Sequence, residues 1–80
     1  MSLGPELERS KAAAALIAAI PFLNPTELRI CLLVLEGRTT AEIASILELS
    51  IRTIRNRGLV IRKKLGVRSK LAVALMKIAG

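Results

Sequence analysis

Histidine is absent from the 80-residue chain, and cysteine occurs once, at Cys31. Without an imidazole, Ser-His and Cys-His catalysis and His-liganded zinc are excluded. A single thiol excludes an internal disulfide framework and any zinc site built on cysteine. The aromatics are reduced to Phe22, which excludes a base-stacking sheet of the kind that grips single-stranded RNA. The longest apolar run, Ala12 to Leu23, is interrupted by Pro21 and falls short of the roughly 20 residues that span a bilayer. Glu6 and Glu8 precede it, whereas a secretory signal opens on a basic end. The expected location is therefore cytoplasmic, and one unpaired cysteine agrees. With five glycines and three prolines, the chain lacks the composition of a disordered segment. No metal or other cofactor, and no membrane, is expected as a partner.

What the chain does have is aliphatic bulk and lopsided charge. Hydrophobic residues make up 52%, and the dominance of alanine, leucine and isoleucine points to helices. A chain this short is one folding unit near the lower size limit for an unstapled core, so every apolar stripe must be used. The net charge is +7. Residues 1–50 carry Arg9, Lys11, Arg29 and Arg38 against Glu6, Glu8, Glu27, Glu36, Glu42 and Glu48. Residues 51–80 carry Arg52, Arg55, Arg57, Arg62, Lys63, Lys64, Arg68, Lys70 and Lys77 without a single acid. Solubility alone would mix the signs. A basic half on a small helical domain suits a polyanion, nucleic acid or an anionic membrane surface, and the helix caps and short turns along the chain disfavour the membrane because they specify a packed bundle.

Start and stop signals divide the chain into five helices. Met1-Ser2-Leu3-Gly4 reads in part as an expression scar and is set aside. Pro5, Glu6 and Glu8 suit a helix amino end, and Pro21 stops that helix near Ile20. Asn24-Pro25 with Glu27 forms a capping box for a second helix reaching Leu35 or Glu36, where Gly37 supplies a left-handed stop. Thr39 and Glu42 repeat the box for a third helix, with Ile43, Ala44, Ile46 and Leu47 on its apolar face. Only Glu48 and Leu49 separate it from Ser50, the cap of a fourth helix ending at Lys64 or Leu65 before Gly66. Arg68 and Ser69 open a last helix with Leu71, Leu75 and Ile78 on one side.

Two helices joined by so short a turn, the second strongly basic, form a helix-turn-helix. Ile54, Ile61 and Leu65 give the fourth helix an inner face. Arg52, Thr53, Arg55, Asn56, Lys63 and Lys64 supply donors for phosphates and base edges on the outer face. Arg55 suits guanine and Asn56 suits adenine, each as a bidentate pair. Lys63 and Lys64 also have a plainer reading, as a helix end complementing the dipole.

The ordered set Leu23-Asn24-Pro25-Thr26-Glu27, Glu36-Gly37, Thr39 with Glu42-Ile43-Ala44, Leu49-Ser50, Thr53-Ile54-Arg55-Asn56, Ile61 and Lys64-Leu65-Gly66-Val67 resembles the LuxR/GerE-type (NarL/FixJ) DNA-binding domain, over about residues 22–79. The resemblance implies an all-α fold: a four-helix bundle over residues 22–80, preceded here by an extra helix or linker segment in residues 1–21. It implies a transcription regulator and not an enzyme, with residues 51–65 as the recognition helix in the major groove of double-stranded DNA. Arg55, Asn56 and Leu59 fall where members reach base edges, and Thr40, Thr53, Arg62 and Lys64 at or near backbone-contacting positions. Arg57 stands where members often have histidine. The resemblance also implies a homodimer paired through the last helix, here Leu71, Leu75 and Ile78, and contact with RNA polymerase. A stand-alone regulator and the output end of a longer protein both fit.

Several positions depart from that pattern. Glu48 occupies a turn position where glycine is common. Gly58 falls mid-helix, where it costs about 1 kcal/mol against alanine and leaves a hole in the inner face. Leu59 and Val60 are apolar where relatives are polar. Either the helix repacks so that Leu59 or Val60 fills the gap, or Gly58-Leu59-Val60 is a patch for a protein partner. The second reading makes the chain an interaction module with a degenerate helix-turn-helix. Cys31 reads as a buried structural thiol, Met76 as interface or core filler. The second helix carries an extra stripe, Leu28, Leu32 and Leu35, which must be covered as well. Leu16, Ile17 and Ile20 of the first helix are the expected cover, within the chain or across a dimer.

Overall fold

The computed structural model describes residues 4–79, with side chains described from Lys11 onward. The described residues form five helices and no strand: α1 (Gly4–Ala19), α2 (Pro25–Leu35), α3 (Thr40–Leu47), α4 (Ile51–Leu65) and α5 (Leu71–Ala79). Local chemistry fixes the starts. The Glu27 amide donates to Asn24 Oδ1 at 2.8 Å and the Asn24 amide to Glu27 Oε1 at 3.1 Å. The same reciprocal pair closes on Thr39 and Glu42 at α3. At α4, Ser50 Oγ accepts from the Thr53 amide at 3.0 Å. Each cap satisfies donors that the first turn of a helix leaves orphaned.

The ends of α2, α3 and α4 share one geometry. A left-handed residue lets two successive amides reach back to the last turn, as at Gly66, where the Gly66 amide donates to the Lys63 carbonyl and that of Val67 to the Arg62 carbonyl. Gly37 and Gly66 take this position with φ of 83° and 69°. In the helix-turn-helix joint the residue is Glu48, at φ 56°, where a side chain costs roughly 1–2 kcal/mol.

Helix α2 touches all four of the other helices. This is what its two apolar stripes require. Ile30 and Cys31 lie in the buried cluster with Ile43 and Ala44 of α3, Ile54 and Ile61 of α4, and Leu75 of α5. Helix α1 packs on α2 and α5 within the same chain; its Leu16, and Ile20 just past its end, join that cluster, and Leu28, Leu32 and Leu35 lie half-buried against it. The expected cover is thus met in part, because Ile17 points away and is 58% exposed.

Two other expectations change. The hole at Gly58 is not filled by Leu59 or Val60, both of which are exposed. Leu71 of α5 reaches over instead, its Cδ2 lying 3.9 Å from where a β-carbon on Gly58 would sit. The face of α5 assigned to dimer pairing turns inward. Leu75 is 0% exposed and Leu71 and Ile78 pack against the core, since a chain this small needs them for its own interior. The large apolar side chains that α5 leaves outside are Val73 and Met76.

Candidate nucleic-acid interface

Helix α4 buries only Ile54 and Ile61 and presents the rest of its circumference outward or in part. With 3.6 residues per turn, Arg52, Asn56, Leu59 and Lys63 form the face opposite those two isoleucines. Arg55 and Arg62 line one shoulder of that face, and Thr53, Arg57, Val60 and Lys64 the other. Arg52, Arg55, Asn56, Arg57 and Lys63 are all exposed. Leu59 stands among them at 53% exposure. Thr53 is half-buried, its hydroxyl 2.8 Å from that of Ser50. Thr40 is exposed on a different element, as the first residue of α3.

Two of the expected phosphate contacts are engaged internally. The Lys64 ammonium donates to Glu27 Oε1 at 2.5 Å and to the Phe22 carbonyl at 2.7 Å. The Glu27 side chain is wholly buried. Burial by itself pushes its carboxyl up, but the Lys64 hydrogen bond, the Asn24 amide and the charges of Lys64 and Arg57 outweigh that and hold it below its usual value. Lys64 therefore leaves the outward-facing set and becomes a clamp joining α4 to the α1–α2 corner. Phe22, in that corner, is 93% exposed and left-handed at φ 57°. Arg62 is similarly occupied: its Nη2 donates to the Arg68 carbonyl at 2.9 Å across the α4–α5 turn.

Glu27 does more than close its cap. Its partner is 37 residues away, and no local pattern announces a pair at that distance. Nor does any pattern in the sequence single out Arg29. It lies outside the basic tail, yet it lines a groove with Arg57 of α4. Cys31 behaves as expected of a structural thiol. Burial first, then the charge of Glu27, push it up to about 12, so it stays protonated and unreactive.

A trihelical scaffold that braces an exposed basic helix through a tight turn defines the helix-turn-helix class of regulatory domains. Residues 21–77 match the family described as bacterial regulatory proteins, luxR family. The chain belongs to that family, whose helix-turn-helix domain is a DNA-binding module of transcription regulators. Comparison with curated proteins and with solved structures found no match. Among the described residues no helix is long and apolar enough to cross a membrane.

Proposed function

We propose that this chain binds double-stranded DNA sequence-specifically as a transcription regulator or part of one, with α4 lying in the major groove. One observation carries the reading: Arg52, Arg55, Asn56 and Lys63 are exposed together on a helix whose opposite side is locked into the core. Arg55 and Asn56 read base edges, as bidentate donors to guanine and adenine respectively. Arg52, Arg57 and Lys63, with Thr40 and Thr53, hold the sugar-phosphate backbone and set the register. Leu59 contributes apolar contact to a thymine methyl. Pairing of two copies through α5 would use Val73 and Met76, the large apolar side chains of that helix that remain outside.

Selection of bound sequences from randomised duplex DNA tests this reading. Enrichment of a site, with binding that weakens steeply with salt, is the expected result. A second reading has its own observation, the exposed Leu59 and Val60 on the recognition helix: a protein-interaction module that no longer reads sequence. The same selection separates the two, because that module would enrich nothing.

A further inference from the structure

A groove of about 300 Å³ runs beside the recognition helix, between the first turns of α2, the α3–α4 turn and the first half of α4. Arg29 and Thr26 line it from α2, and Arg57 and Thr53 from α4. Leu47 and Leu49 supply its apolar part. Both arginines are exposed, and among the described residues neither forms a salt bridge or a hydrogen bond. Glu27, whose carboxyl feels the charge of Arg57, is already paired with Lys64. The residues that line the groove thus include two cations and no carboxylate.

We propose that this groove seats a backbone phosphodiester of the bound duplex, gripped between Arg29 of α2 and Arg57 of α4. The proposal rests on the DNA-binding reading above and adds to it a contact from outside the helix-turn-helix pair. Guanidinium groups match phosphate oxygens in a planar, forked geometry that a lone ammonium lacks. Two of them on separate helices fix the angle between α4 and the strand, which one helix cannot do. Thr53 and Arg57 share a shoulder of α4 adjoining its outward face, where a strand bordering the major groove would pass. Leu47 and Leu49 favour a sugar-phosphate over a bare anion, since a deoxyribose face can cover them and inorganic phosphate cannot.

The test is the salt dependence of binding to a random-sequence duplex. Arg29→Gln should flatten the slope of log K on log salt by about 0.9, and the double variant with Arg57→Gln by about 1.8, equally on all sequences. Arg29→Lys should keep the slope. Arg38→Gln, whose arginine lies 3.9 Å from Glu42, should leave it unchanged, and each variant should melt like the wild type. If Arg52→Gln flattens the slope while Arg29→Gln does not, the groove is no phosphate seat and the DNA-binding reading survives. A wild-type chain without salt-dependent duplex binding overturns both. Inorganic phosphate, followed by the side-chain N–H resonances of Arg29 and Arg57, separates the sources of the anion. Saturation by phosphate alone, with duplex leaving those resonances unmoved, makes this a small-anion site and overturns the proposal.

Discussion

Lys64→Ala removes the ammonium that neutralises a carboxylate with no access to water. Glu27 Oε1 loses its shortest hydrogen bond, the Phe22 carbonyl loses its donor, and Oε2 already lacks a partner among the described residues. Breaking a buried pair from one side costs about 3–5 kcal/mol. The Lys64 side chain keeps 24% of its surface exposed, so water can enter the vacated side, and about 3 kcal/mol is the reasoned figure. For a domain of this size, each kcal/mol moves Tm by about 4–8 °C, giving a fall of about 12–24 °C. Thermal and urea unfolding followed by far-UV circular dichroism at neutral pH would measure it. Replacing both partners with apolar residues, Glu27→Leu with Lys64→Met, should recover most of the loss, because the pair itself is worth little net of its desolvation. A Lys64→Ala chain that melts like the wild type would refute the clamp and return Lys64 to the surface cations.

Further outcomes follow from the same geometry. Glu27 titrates below its usual 4.5 in the folded chain, so its contribution is intact above that pH and is lost as pH falls through the lower, folded value; Glu27→Gln should make the acid limb of a stability-against-pH curve shallower. Gly58→Ala should raise stability by about 1 kcal/mol, because the added carbon meets Leu71 at an ordinary 3.9 Å; a drop in Tm would mean that the α4–α5 contact is tighter than that. Glu48→Gly should stabilise by about 1 kcal/mol by relieving a left-handed side chain, measured in the same melts. Arg55→Ala should cost roughly 1–3 kcal/mol on the best selected site and much less on random duplex; equal losses on both would make Arg55 a phosphate contact. Leu16→Ala should cost about 2–5 kcal/mol in the same melts, because its side chain is wholly buried in the core; an unchanged Tm would refute the packing of α1.

All five helices could be read from the sequence, and the ends of α2, α3 and α4 are written in residues a few positions apart, whereas α5 starts at Leu71, past the Arg68 and Ser69 expected to open it. Asn24 with Glu27, Thr39 with Glu42, and Ser50 with Thr53 each close a cap within three residues, and Gly37 and Gly66 end helices through their own backbone freedom. The basic face of α4 was legible for the same reason, since helical periodicity alone puts Arg52, Asn56 and Lys63 opposite Ile54 and Ile61. Tertiary structure decided which apolar faces look inward. Leu71, Leu75 and Ile78 form an equally good stripe for a partner or for the chain's own core, and only the packing of α5 on α1 and α2 chose the core. It also decided which cations are available for a ligand. Periodicity places Lys64 on the surface of α4, but an acid on α2 and a carbonyl at the α1–α2 corner take its charge. Arg29 and Arg57 meet across one groove though 28 residues separate them in sequence. Short-range hydrogen bonds fix helix ends locally, whereas the partner of a charge or an apolar face depends on which helices the folded chain brings together.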